Sequence, residues 1–156
     1  MNNGDISRIA SFEVDHDLII PGVYISRVDG DVTTYDLRTR RPNMGDYMDN
    51  LTMHSVEHMF ATYVRNGSIG KNVIYFGPMG CRTGFYLLVR GIDAEKTYDA
   101  VIDTLRKIIS HDGDMFGASR RECGNYLELD LSAAKRECES YLAALEANPN
   151  RFVYPK

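Results

Sequence analysis

The sequence predicts an α+β fold of two layers, with helices packed against a sheet. Short apolar runs typical of strands occur at residues 22–27, 32–39, 73–76 and 85–90. Other segments carry apolar residues at helical spacing. The two kinds of element do not alternate regularly, as a doubly wound parallel sheet would require. A two-layer α+β arrangement is therefore the better prediction.

The strand predicted at residues 32–39 has two different faces. One face carries an apolar and threonine-rich set, namely Thr33, Tyr35, Leu37 and Thr39. Asp36 and Arg38 lie on the other face because side chains alternate along a strand. The Arg38 cation there either binds a ligand or faces water.

A helix is predicted after this strand. Its apolar face consists of Met53, Val56, Phe60, Tyr63 and Val64. Asp49 or Asn50 is suited to cap its start, and Asn66-Gly67 to end it.

A second helix should follow the strands at 73–76 and 85–90. Asp93 is expected to cap it, and it should end near Gly113. Its apolar face is Tyr98, Val101, Ile102, Leu105, Ile108 and Ile109. His111 then lies beside the helix C-terminus, where it favours the helix dipole.

The remaining chain is predicted to hold a strand at 126–129 and a last helix opened by Asp130 or Ser132. The buried face of that helix is Ala134, Cys138, Tyr141, Leu142 and Leu145. We expect one domain over residues 1–156, with a flexible arm at 1–10 and a C-terminal tail at 147–156.

Composition excludes several classes of protein. The net charge of −4 and the lack of a basic run longer than two residues disfavour nucleic-acid binding. No apolar stretch approaches the ~20 residues of a membrane span, and residues 1–5 lack the pattern of a signal peptide. A cytoplasmic protein is expected, in which the three cysteines remain reduced and form no disulfide framework.

The stretch His54-Ser55-Val56-Glu57-His58 is the most informative part of the chain. On a helix, residues four apart lie on one face, so both imidazoles can bind one divalent metal. Glu57 is close enough to move protons beside that metal. This H-x-x-E-H order reverses the commoner H-E-x-x-H pattern. The alternative is two histidines that lie four apart by chance.

Two cysteines lie in loops, where reactive roles are plausible. Cys81 is in the turn 77–84, which contains three glycines and a proline, and Arg82 follows it. Positive charge and backbone amides favour a thiolate there, so we prefer a reactive role to that of a small buried hydrophobe. Cys123 precedes Gly124 and is a candidate third metal ligand, or else a core cysteine at a strand start. Cys138, on an apolar helix face, is expected to fill the core.

The residues alone leave two other interpretations of the predicted metal site open. A small inverzincin-type metallopeptidase would need a carboxylate as third ligand, for which Glu128, Glu137 and Glu139 are candidates. A metal-sensing module would usually close the coordination sphere with a fourth protein ligand. Two histidines and one cysteine instead leave a position for water or substrate, as in catalytic sites.

With these segments in view, the chain resembles the S-ribosylhomocysteine lyases (LuxS), which make the precursor of autoinducer-2. The resemblance covers about Ser11 to Leu145 and rests on several motifs in order. They are Ser11-Phe12 with Asp15-His16, Asp36-Leu37-Arg38 with Pro42-Asn43, the H-x-x-E-H helix, Pro78-Met79-Gly80-Cys81-Arg82-Thr83-Gly84, and Glu122-Cys123-Gly124-Asn125.

The resemblance implies a role for each matching residue. The metal ligands are His54, His58 and Cys123; the acid/base groups are Cys81 and Glu57; the substrate-binding residues are Ser11, His16 and Arg38. The implied metal is Fe(II), one per subunit, which Zn or Co can replace. The implied fold is a two-layer sandwich of a mainly antiparallel sheet packed by helices, with sheets that meet across a homodimer interface.

The chain departs from the family pattern before Cys81. Some members have Asp-x-Ser where this chain has Tyr75-Phe76-Gly77, so any contact made by that aspartate or serine is in doubt. The helix motif has Ser55-Val56 where Thr-Leu or Thr-Ile is common, a change that leaves the ligands intact.

The implied reaction cleaves S-ribosylhomocysteine to homocysteine and 4,5-dihydroxy-2,3-pentanedione. A Lewis-acidic metal acidifies C–H bonds beside a sugar carbonyl, and two proton carriers serve the two sides of the migrating carbonyl. We expect Cys81 to start the first isomerisation and Glu57 to take the C4 proton before the thiol leaves by β-elimination. The sequence does not decide whether the product serves quorum sensing or only the recycling of homocysteine in the activated methyl cycle.

Overall fold

Four antiparallel strands form one sheet, and three helices cover one of its faces in the computed structural model, which describes residues 6–156. The strands are β1 (Gly22–Asp29), β2 (Val32–Arg38), β3 (Val73–Pro78) and β4 (Gly84–Arg90), in the spatial order β1-β2-β4-β3. The helices are α1 (Asn50–Arg65), α2 (Ala94–Ile109) and α3 (Leu131–Ala147). The predicted two-layer α+β fold is confirmed.

Strand β2 separates the hydrophobic core from a polar cluster, as its alternation predicts. Tyr35 and Leu37 are buried in the core between the sheet and the helices. Asp36 and Arg38 point to the opposite face and are also buried, with 1% and 3% of their surface exposed. The Arg38 cation therefore does not face water.

The ends of α1 follow the predicted capping residues. The side chain of Asp49 accepts a hydrogen bond from the Thr52 backbone N–H at 2.8 Å and so satisfies a free donor of the first turn. Asn66 ends the helix. In the middle of α1, the buried Ser55 hydroxyl donates to the Leu51 carbonyl and accepts the Asp130 backbone N–H, which ties α1 to the start of α3.

An aromatic stack joins the two layers. The rings of Phe60 on α1 and Phe76 on β3 lie 4.3 Å apart, and those of Phe76 and Phe85 on β4 lie 5.0 Å apart, each pair nearly parallel. These contacts fix the helix that carries the H-x-x-E-H motif against two strands of the sheet.

Two element predictions need correction. Residues 126–129 form turns and not a strand, since the Glu128 N–H bonds to the Asn125 carbonyl and Leu127 is 79% exposed. Helix α2 ends at Ile109, four residues before Gly113, because Ser110 caps its last turn through bonds to the Arg106 carbonyl.

The C-terminal tail returns to the sheet. Phe152 pairs in parallel with Tyr24: the Ile25 N–H donates to the Phe152 carbonyl at 2.9 Å, and the Phe152 N–H donates to the Val23 carbonyl at 2.8 Å. At the other end, residues 1–5 of the predicted arm lie outside the described residues, and Ala10–Phe12 form one turn of 3-10 helix. Among residues 6–156, no helix has both the length and the apolar composition that a membrane span requires.

Replacing Leu105 by alanine should lower the free energy of unfolding by about 2–5 kcal/mol, because this side chain is 1% exposed and its truncation leaves a cavity. Leu127→Ala is the matched control, since a change at an exposed leucine should stay within about 0.5 kcal/mol. Urea denaturation followed by circular dichroism measures both. Equal losses in the two variants would contradict the assigned core.

Candidate functional site

Three side chains converge to form a candidate metal centre. His54 and His58 lie one turn apart on α1, and Cys123 approaches them from the segment between α2 and α3. The Cys123 sulfur is 3.3 Å from His54 Nε2 and 3.7 Å from His58 Nε2. A tetrahedral ion with ordinary Zn–S and Zn–N bond lengths separates such atoms by about 3.5 Å. The three residues therefore fit a divalent metal.

Backbone carbonyls fix the orientation of both imidazoles. His54 Nδ1 lies 2.8 Å from the Glu128 carbonyl oxygen, and His58 Nδ1 lies 2.9 Å from that of Phe116. A carbonyl only accepts, so each Nδ1 must carry a proton and donate it. Each Nε2 then presents its lone pair toward Cys123, as a metal ligand requires.

Gly117 is required beside His58. Its φ of +65° is unfavourable for residues with a side chain. A Cβ at this position would also lie 2.9 Å from His58 Nδ1, closer than packed atoms approach. A larger residue would therefore shift either the loop or the imidazole that the loop holds.

None of the three carboxylates considered as alternative third ligands belongs to this cluster. The Glu128 side chain accepts a hydrogen bond from Asn125 at 3.0 Å, and the buried Glu137 pairs with Arg40 at 2.6 Å. Glu139 is exposed on α3. Within residues 6–156, the only cluster suited to a metal is His54, His58 and Cys123, so the peptidase alternative is not supported.

Glu57 lies between the two histidines in the chain and is partly buried. Among the described residues, no side-chain or backbone donor bonds to its carboxylate. A carboxylate on the same helix as the two imidazoles and free of such bonds is able to accept and return a proton.

The β3–β4 loop presents Cys81 at the surface. Arg82 adopts a left-handed conformation with φ of 62°, and its N–H closes a turn onto the Met79 carbonyl at 3.0 Å. Gly84 follows, and a Cβ there would lie 2.7 Å from the Leu37 carbonyl oxygen. The tight turn predicted from the glycines is present, and exposure of the thiol contradicts the alternative of a buried hydrophobe.

The guanidinium of the buried Arg38 lies close to the Cys81 sulfur. Arg38 donates to Thr83 Oγ1 at 2.8 Å and approaches the Cys81 sulfur at 3.8 Å, while that sulfur lies 3.1 Å from the same hydroxyl. Two bonds from Arg38 to Asp36, at 3.1 and 2.6 Å, form a fork on the carboxylate. Burial alone lowers the pKa of Arg38, but the Asp36 carboxylate outweighs it and raises that pKa, so the cation persists.

Ser11, His16 and Arg38 lie close together, as the expected substrate-binding residues should. They line a small cavity of about 10 Å³ on the sheet face opposite the helices. Tyr86 and Tyr154 complete much of its wall. The His16 ring is held by a bond of 2.9 Å between Nδ1 and the Val14 carbonyl.

The structure also shows the surroundings of Cys138 and His111, for which the sequence predicted structural roles. Cys138 is buried in α3, and burial raises the pKa of its thiol, consistent with core packing. His111 follows α2 as expected, but its ring bonds to the Tyr63 hydroxyl at 2.7 Å and to the Asp114 carbonyl at 2.9 Å.

Within one chain, the metal group (His54, His58 and Cys123) and the Cys81 group (Cys81, Arg38 and Thr83) belong to different parts of the fold. The metal group lies in the helical layer, whereas Arg38 lies on the sheet face turned away from the helices. Among residues 6–156, no hydrogen bond or ion pair joins the two groups. The first group could bind a metal, and the second could exchange a proton.

Sequence inspection missed the roles of four residues around these groups. Asp36 and Thr83 were named within motifs but given no role, although each lies only two positions from its partner, Asp36 from Arg38 along β2 and Thr83 from Cys81 within the loop turn. Gly117 and Tyr154 could not have been found, because their contacts join residues far apart in the chain.

Comparison with known proteins agrees with this geometry. The S-ribosylhomocysteinase (LuxS) family model matches residues 9–151. A protein of Clostridium beijerinckii named S-ribosylhomocysteine lyase is 41% identical over 96% of this chain and 99% of its own length. Proteins of the same name from Clostridium acetobutylicum (40% identical, 97% of this chain, 100% of the relative) and Phocaeicola vulgatus (41%, 88% and 89%) are also similar. The chain therefore belongs to the S-ribosylhomocysteine lyase (LuxS) family.

Proposed function

We propose that this protein is a carbon–sulfur lyase that cleaves S-ribosylhomocysteine to homocysteine and 4,5-dihydroxy-2,3-pentanedione. The convergence of two imidazoles and one thiol on a single point is the observation that most supports this reaction. Three protein ligands leave room for substrate oxygens, as in catalytic metal sites. The names of the relatives support the same substrate.

We propose Fe(II) as the resident metal, one per subunit, with Zn or Co able to replace it. A ligand set of two histidines and one cysteine accepts all three ions. When bound, such an ion supplies Lewis-acid chemistry that acidifies the C–H bonds next to a sugar carbonyl. The reaction needs no change in oxidation state.

Cys81 and Glu57 are the proposed proton carriers. Cys81 as a thiolate takes the C2 proton of the open-chain sugar and returns it to C1, which moves the carbonyl from C1 to C2. After a further shift of the carbonyl to C3, Glu57 takes the C4 proton, the C5–S bond breaks, and homocysteine leaves as the thiolate, which the proton now held by Glu57 can neutralise. Arg38 supports the first step because its positive charge lies near the Cys81 sulfur.

Ser11, His16 and Arg38 are the proposed substrate-binding residues. They share one cavity, and their hydroxyl, imidazole and guanidinium groups offer both donors and acceptors to a polyhydroxylated substrate. The cavity is small in one chain but lies on the same sheet face as the Arg38–Cys81 contact, so a substrate group that reaches it would lie near the thiol.

We propose a homodimer with two shared active sites, and the location of the two groups in different parts of one chain supports it. If the metal group of one subunit faces the Cys81 loop of its partner, each site becomes complete. The sheet face turned away from the helices is proposed as one part of the contact surface, and the helix and loop residues of the metal group as another. Tyr75, which is 53% exposed, and the partly buried Leu88 lie on this face and would be covered.

The proposed cellular setting is the cytoplasm, where the three free cysteines would remain reduced. We further propose that residues 1–156 form a single catalytic domain, since one core joins all three helices to the sheet.

Cys81→Ala and Glu57→Gln should each reduce homocysteine release by at least about a hundredfold, because each removes a proton carrier. Free thiol is followed after S-ribosylhomocysteine is added to anaerobic protein loaded with Fe(II). Glu139→Gln, on the surface of α3, and Cys138→Ala, in the core, are matched controls that should retain turnover. Full turnover by Cys81→Ala would exclude its proposed role.

Gly117→Ala should weaken the binding of Zn²⁺ by about 10–100-fold, the usual effect of disturbing the groups that orient a metal ligand. The added methyl group would displace His58. Competition with a chromophoric chelator measures the affinity. Gly124→Ala is the control, since a Cβ there meets no atom within 4 Å although the residue adjoins Cys123. Unchanged affinity in Gly117→Ala would rule out this role.

Mixing two inactive variants tests the shared sites. In a mixed dimer of Cys81→Ala and His58→Ala chains, one site would have both an intact thiol and an intact metal group. Random exchange of subunits should restore about a quarter of the parent turnover. Sites formed within one chain would show no recovery, which would refute the proposed arrangement. Sedimentation of the mixture verifies that the chains are dimers.

A further inference from the structure

The C-terminal tail contributes a side chain to the cavity that holds the proposed substrate-binding residues. Tyr154 lines this cavity together with Ser11, His16 and Arg38. It lies three residues beyond the stretch matched by the family model, which ends at residue 151. No role has been assigned to it so far, and the one inferred below rests on the proposed function.

Tyr154 and Arg38 bind the same oxygen atom. The Tyr154 hydroxyl donates to Asp36 Oδ2 at 2.8 Å, and Arg38 Nη2 donates to that oxygen at 2.6 Å. Burial and the Asp36 carboxylate raise the pKa of Tyr154, so the phenol keeps its proton and acts as a donor at neutral pH. Two donors thus share one buried carboxylate oxygen.

The tail is anchored so that this hydroxyl has a fixed position. The parallel bridge between Phe152 and Tyr24 holds the backbone two residues earlier. The Tyr154 ring stacks on Tyr24 with centroids 4.8 Å apart and planes inclined by 22°. A phenylalanine at position 154 could keep this stacking and lose only the hydroxyl.

The shared oxygen links the tail to the reactive thiol. Asp36 attracts the Arg38 guanidinium from one side, while Thr83 and the Cys81 sulfur contact its other edge through Nη1. A hydroxyl that donates to Oδ2 takes up part of the negative charge of the carboxylate. More of the guanidinium charge then remains available to a Cys81 thiolate.

We propose that Tyr154 is a positioning residue for the lyase reaction: its hydroxyl shares Asp36 with Arg38 and so keeps the Nη1 edge of Arg38 directed at Cys81 and Thr83. The other ionisable groups near this cluster are His16 and Tyr86, which line the same cavity, and Arg82, which follows Cys81 in the loop. None of these three is bonded to the Cys81 sulfur, whose partners are Arg38 Nη1 and Thr83 Oγ1. Arg38 is therefore the cation through which Tyr154 acts.

The rate of Cys81 alkylation by iodoacetamide, measured against pH on metal-loaded protein, tests this role independently of turnover. Tyr154→Phe should shift the midpoint of the profile upward and slow alkylation about threefold on its acidic side, because the thiolate is less favoured. The kcat for homocysteine release should fall by a similar factor with KM unchanged. Val153→Ala, a change at a neighbouring exposed tail residue, should alter neither quantity.

Several outcomes would overturn the role of Tyr154. An unchanged alkylation profile with a raised KM would make it a substrate contact, and a loss of stability to urea with both quantities unchanged would make it a structural residue. If the parent protein released no homocysteine, the proposed function would fail. The alkylation profile would still decide whether Tyr154 controls Cys81.

Discussion

The two hydrogen bonds from histidine Nδ1 atoms to backbone carbonyls are the interactions on which the rest of the site depends. They join α1 to a segment without regular secondary structure, from Phe116 to Glu128. Because these carbonyls accept the Nδ1 protons, both Nε2 atoms are free for a metal. The same contacts carry Cys123 to within bonding reach of that metal. Loop position and imidazole orientation are therefore set together.

The alternating side chains of β2 separate the hydrophobic core from a buried ion pair. Tyr35 and Leu37 pack against the helices in the core. Asp36 and Arg38, the alternate residues of the strand, form a buried ion pair on the other face. A buried pair is costly to form and is more readily explained by the position it gives to a group than by stability. Here it fixes a guanidinium within reach of the Cys81 thiol.

Local patterns predicted most of the fold and much of the site. The caps at Asp49 and Asp93, the helical spacing of the apolar residues and the faces of β2 depend on neighbours in the chain, and all are confirmed. The strand at residues 126–129 was wrong because contacts with α1, not local propensity, shape that segment. The pairing of Tyr154 with Asp36 spans 118 residues and has no local pattern to predict it.

The three candidate metal ligands come from parts of the fold that differ in secondary structure and packing. His54 and His58 lie on a helix packed against the sheet and the other helices, whereas the segment that carries Cys123 has no regular secondary structure and is tied to α1 through bonds near its two ends. Segments of this kind open locally at less cost than a packed helix. Exchange of the metal should then proceed by transient release of Cys123 while the histidine pair stays in place. The dissociation rate of the ion would be a property of that loop, not of the stability of the whole domain.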